Sequence, residues 1–131
     1  MSEAEIVEFA RRYDPQPMHT DAAAAAAGPF GGLIASGWHT VGVVMRELVR
    51  HYLAPGAALV SPGVDELRWI LPVRPGDQLH IRVTIVSATL SRSKPDRGMV
   101  RTSIEALNQR GEIVMSMTAM NLIRCRDVAE G

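Results

Sequence analysis

The sequence predicts an α+β domain in which an antiparallel sheet packs over one long helix. Three features carry that prediction. Helical periodicity is confined to the first part of the chain. After Gly56 the period switches to two, and alternating stretches follow one another with short turns and no helix between them. The longest helical stretch is apolar over more than half its surface, so it needs a cover that only such a sheet is large enough to supply. The 131 residues suffice for one core. No linker or second domain is visible, so residues 1–131 read as a single domain.

Each element has its own signal. In "SEAEIVEFARRY", Ser2 and Glu5 have capping-box spacing. Ile6, Phe9 and Ala10 form an apolar face, and Arg11 and Arg12 suit the C-terminal end of the dipole. Asp14-Pro15 should stop this helix, because a residue before proline avoids the α region. "TDAAAAAAG" reads as a short second helix, capped by Thr20 or Asp21 and ended by Gly28. The long helix lies within "GPFGGLIASGWHTVGVVMRELVRHYLAPG", with Trp38, Val41, Val44, Met45, Leu48 and Tyr52 on one stripe and Pro55-Gly56 closing it. That stripe is expected to be buried. "VDELRWILPV" predicts a shorter strand. "QLHIRVTIVSATL" puts Leu79, Ile81, Val83 and Ile85 on one face and His80, Arg82 and Thr84 on the other. "MVRTSIEAL", the turn "NQRG" and "EIVMSMTAMNLI" complete the meander, and the carboxyl end "NLIRCRDVAEG" reads as a frayed tail after a last strand.

Composition narrows the function classes. Acidic and basic residues balance at 14 each, which argues against nucleic acid as a partner, since that needs a basic face. The lone cysteine, Cys125, rules out an internal disulfide and a cysteine-based zinc site. No apolar run reaches transmembrane length, and the start lacks a signal-peptide core, so the expectation is a cytoplasmic protein with no membrane partner.

Two stretches could carry chemistry. Asp14 and His19 stand five residues apart with Pro15 and Pro17 fixing two φ angles between them. A stiff turn of that length can bring a carboxylate and an imidazole to one point, where they can hold a water and move its proton. The alternative is an Asx turn followed by a histidine that merely precedes a helix. In "GGLIASGWHT", small residues cluster where the long helix begins. An amide of Ser36, Gly37 or Trp38 could bind an oxyanion or polarise a carbonyl, with Gly37 allowing close approach. The alternative is tight packing with Ser36 as a plain cap.

His39, His51 and His80 have no metal-ligand spacing, and "HTD" is followed by no third ligand, so no metal is expected. In "SRSKPDRG", Arg92, Lys94 and Arg97 face one Asp96 and could grip phosphates, or form a solvated hairpin tip.

The stretches "FARRYDPQPMHTD", "FGGLIASGWHT" and "LPVRPGD" together resemble the MaoC-like family, which includes the R-specific enoyl-CoA hydratases. The resemblance covers nearly the whole chain. It implies a hot-dog fold, an antiparallel sheet wrapped around a central helix, and a homodimer with sites near the interface. It implies that Asp14 and His19 are a catalytic dyad acting on a trans-2-enoyl thioester, and that the Gly37 amide holds the thioester carbonyl. No cofactor is implied. The substrate handle would be coenzyme A or an acyl carrier protein, with the Arg92, Lys94 and Arg97 loop serving either. Ser36, Trp38, Met18 and Phe30 would contact substrate, although such apolar residues, Trp69 included, are more often plain core. Two departures stand out: Gln16 replaces the family's usual asparagine with an extra Pro15 before it, and the family's strand before the first helix is not seen. Competing expectations are a thioesterase and a non-catalytic acyl-thioester binding subunit. The first is weakened because Glu47, the carboxylate within the long helix, lies about three turns from Gly37.

Overall fold

The computed structural model describes residues 1–52, 58–90, 93 and 96–124. Four helices come first: α1 (Glu3–Tyr13), α2 (Pro17–Thr20), α3 (Ala22–Ala27) and α4 (Gly37–His51). Four strands follow: β1 (Ala58–Trp69), β2 (His80–Leu90), β3 (Arg97–Leu107) and β4 (Ile113–Arg124). They form one antiparallel sheet in the order β1-β4-β3-β2.

Local chemistry sets the helix ends. The capping box of α1 is formed in both directions, Glu5 N–H to Ser2 Oγ and Ser2 N–H to Glu5 Oε1, each at 3.2 Å. Asp21 caps α3 by accepting from the amides of Ala23 and Ala24 at 3.1 Å. The one-turn helix α2 is not foreshadowed in the sequence. Pro17 sits at its N-terminus, where its missing N–H costs nothing.

The core joins Ile6 of α1 and Val44 and Leu48 of α4 to Ile104, Ala106, Met115 and Met117 of the two central strands. Helix α4 is therefore covered by the sheet on one flank only. Of its predicted stripe, Val44 and Leu48 are buried, while Trp38, Met45 and Tyr52 are exposed. His39 and Thr40 are buried instead, His39 because Phe9 of α1 stacks on it with ring centres 4.6 Å apart. A stripe that wide exceeds what one four-stranded sheet can reach.

The strands also depart in part from expectation. β1 is longer than predicted, because Pro62-Gly63 breaks its alternation in sequence but only bulges it in space. Leu79, just before β2, and Ile81 and Val83 within it pack at the core margin, but Ile85 is 60% exposed beside a register shift between Ile85 and Ser87. No strand precedes α1 among the described residues, and β2 stands at a sheet edge. Of the expected tail, residues 121–124 instead continue β4, paired to β3 as far as Arg97, and the residues from Cys125 onward lie outside the described residues.

Candidate active site

The two prolines between Asp14 and His19 have separate jobs. Asp14 caps the C-terminus of α1 in a non-helical conformation (φ −155°, ψ 69°), as a residue before proline must. Pro17 then starts α2, and that single turn carries His19 back beside Asp14. His19 Nε2 lies 3.4 Å from Asp14 Oδ2. His19 is 4% exposed. Its Nδ1 lies 2.8 Å from the carbonyl oxygen of Ile34, which can only accept, so Nδ1 carries the proton and donates it there. Nε2 is thus the nitrogen that faces the carboxylate.

Both oxygens of Asp14 are held. Gln16 Nε2 donates to Oδ1 and Ser36 Oγ donates to Oδ2, each at 2.7 Å. These two bonds, Gln16's first, hold the carboxyl below its ordinary range, and His19 adds to the effect. Asp14 is therefore a firmly ionised acceptor with a fixed orientation.

Ser36 is fully buried at the N-cap position of α4, yet its side chain makes no capping bond. The hydroxyl is spent on Asp14. The first amides of α4, Gly37 and Trp38, are left without a side-chain cap at the positive end of the helix. The segment before Ser36 is pinned from two sides: Ile34 N–H donates to Met18 O at 3.1 Å, and Ala35 N–H to Val73 O at 2.8 Å. Arg74 donates to the carbonyl of Phe30 and anchors the glycine loop.

These groups open onto a groove of about 380 Å³. Asp14, His19 and Gly37 line it, with Met18, Phe30, Trp38, Trp69, Ile70 and Leu71 supplying apolar walls. The structure thus brings together Asp14, His19, Gly37, Trp38, Met18 and Phe30 from the sequence expectation, and places Ser36 directly behind Asp14. Gly37 does not face open space. A Cβ there would lie 2.4–2.7 Å from the Trp69 indole, so the glycine is the seat of that ring.

Other expected residues lie elsewhere. Arg97 is bonded to its neighbour Asp96 at the start of β3, opposite Arg124. The groove touches Val114, next to the far end of β3, about 30 Å away at the usual rise per strand residue. Within one chain Arg97 does not reach the groove. Arg92 and Lys94 fall outside the described residues. Glu47 belongs to a second hollow by β2 and makes ion contacts with Arg46, Arg50 and His51. Among the described residues, no three His, Cys, Asp or Glu side chains cluster as metal ligands would, and no helix is long and apolar enough to cross a membrane.

Comparison with known proteins agrees with this architecture. The chain is 45% identical to a MaoC-like dehydratase from Rhodospirillum rubrum, with a TM-score of 0.89 over 96% of this chain and 86% of that one. It is 27% identical to the unliganded R-hydratase PhaJ1 of Pseudomonas aeruginosa, with a TM-score of 0.76 over 95% of this chain and 75% of that one. It is 32% identical over 95 residues to the 3-hydroxybutyryl-CoA dehydratase of Methylorubrum extorquens, covering 72% of this chain and 59% of that protein. The chain spans less than two thirds of the length of the curated hydratases and dehydratases it matches. The fold is the hot-dog fold of these structures. A family profile described as the MaoC like domain matches residues 1–107, and this chain belongs to that family.

Proposed function

We propose that the domain catalyses the reversible hydration of a trans-2-enoyl thioester to the 3-hydroxyacyl thioester, the thiol being coenzyme A or an acyl carrier protein. The observation that carries this reading is the approach of His19 Nε2 to an oriented, ionised Asp14 beside the uncapped start of α4.

The residues divide the work by their chemistry. Asp14 is held too firmly ionised to be a strong base, so it accepts one hydrogen of the attacking water and orients it. His19, with its proton on Nδ1, takes the other hydrogen at Nε2. The water oxygen bonds to C3, the C2=C3 pair moves toward the thioester carbonyl, and the Gly37 amide donates to the oxygen where charge collects. His19 Nε2 then returns the proton to C2, and the site is restored. Asp14 stabilises the transient imidazolium throughout.

The test is to follow crotonyl-CoA by two readouts at once, the conjugated enoyl absorbance and the release of free thiol. Loss of absorbance without thiol supports hydration. Thiol release would instead support a thioesterase, and binding without either change a non-catalytic acyl-thioester subunit. The reading extends to a homodimer in the cytoplasm. Met45, Val49 and Tyr52 leave an exposed apolar stripe toward the C-terminal half of α4, which a second copy can cover. A monomeric mass in solution at micromolar concentration would contradict the dimer.

A further inference from the structure

Tryptophan occurs at two positions in the chain, Trp38 and Trp69, and both line the groove. They come from different elements, the first turn of α4 and the last residue of β1. Their rings meet edge to face, with centres 5.1 Å apart and planes at 76°. They remain 58% and 46% exposed, so they are not ordinary core residues. The Trp69 indole also rests on the bare Cα of Gly37, where a Cβ would meet Cε2 at 2.4 Å and Nε1 at 2.5 Å. The ring is therefore packed against Gly37, the residue whose amide the proposed mechanism assigns to the thioester carbonyl.

We propose that Trp69, seated on Gly37 and braced by Trp38, is the wall that sets how long an acyl group the groove admits. This rests on the proposed acyl-thioester site and adds its selectivity. A substrate whose carbonyl oxygen meets the Gly37 amide has its first carbons beside this indole. The ring is large and rigid, and the Trp38 ring meets it edge to face. Neighbouring groove residues Ile70, Leu71 and Met18 are aliphatic, so the tail meets apolar surface once past the wall. Replacing the indole by a smaller side chain removes the barrier and leaves that surface in place. Discrimination by one or two methylenes in an apolar pocket is worth about tenfold or more in affinity.

The tryptophans are also the reporters. Saturated butyryl-, hexanoyl- and octanoyl-CoA would be titrated into the protein, read by intrinsic fluorescence, with no turnover required. In Trp69→Leu, Trp38 remains as the probe. The octanoyl-to-butyryl affinity ratio is expected to rise about tenfold over the wild type. Trp69→Phe, which keeps a ring on the seat, is expected to stay within about threefold of the wild-type ratio. If Trp69→Leu weakens all three ligands equally, or leaves the ratio unchanged, Trp69 is a structural residue and the proposal fails while the acyl-thioester reading stands. If the wild type binds none of the three, the acyl-thioester reading fails and the proposal falls with it.

Discussion

Replacing Gly37 by alanine tests the geometry at the start of α4 without reference to any substrate. The new methyl carbon would lie 2.4, 2.5 and 2.7 Å from three atoms of the Trp69 indole. Carbon contacts are comfortable at about 3.5–4.0 Å, so the ring must retreat by roughly 1 Å. It is a rigid ring with Trp38 against it, so it cannot yield by rotating a flexible end. Overpacking of this kind costs about 1–3 kcal/mol. Alanine recovers part of that, since it is up to about 1 kcal/mol better than glycine inside a helix and less at a terminus. The net expectation is a loss of about 1–2 kcal/mol, with no backbone strain added, because Gly37 does not have a positive φ. In a Trp69→Leu background the clash is gone, and Gly37→Ala should be neutral or slightly stabilising. Urea unfolding of the four proteins gives the coupling directly. A Gly37→Ala protein as stable as the wild type with Trp69 in place, or a cycle with no coupling, would refute the seat.

Ser36→Ala removes one of the two bonds that hold Asp14 ionised, after Gln16's the larger contributor. The Asp14 carboxyl then titrates nearer its ordinary value, which a carboxyl-carbon NMR titration of the two proteins reads directly, and Ser36→Thr should restore most of the lowering. A lowered carboxyl pKa stabilises the fold above the unfolded value and is lost as pH falls, so the wild type should also lose more stability in acid than Ser36→Ala does. His39 is a separate case. Burial, opposed by Glu5, holds its imidazole below 6.5, and its Nδ1 has no partner among the described residues. The folded state therefore resists protonation while the unfolded chain accepts it. Stability should decline as pH drops below about 6.5, and His39→Leu should flatten that decline in a pH series of melting curves.

What was legible in the sequence follows the range of the interaction. The capping box at Ser2 depends on residues three positions apart and formed as read, the cap of α3 fell to Asp21 of the two candidates Thr20 and Asp21, and the alternation of β2 held up to Val83 and failed at Ile85. Pairing of Asp14 with His19 was legible for the same reason, since two prolines bend one short segment. The bond from Ser36 to Asp14 spans 22 positions, and in sequence Ser36 looks like an ordinary N-cap. The seat of Trp69 on Gly37 was equally hidden. It depends on β1 ending where α4 begins, and the glycine suggested room for a substrate. Burial of α4 was overestimated because periodicity shows that a stripe is apolar, but not how much of it one sheet can cover.

The central claim is that Asp14 and His19 act as one unit on a water added to the enoyl group. The most direct measurement is the rate of enoyl absorbance loss for wild type, Asp14→Asn, His19→Gln and the double variant, each shown to be folded. The account predicts that either single change lowers kcat by about a thousandfold or more, and that the double variant is scarcely worse than either alone. Single variants that each retain near wild-type hydration, or losses that simply multiply in the double variant, would contradict it.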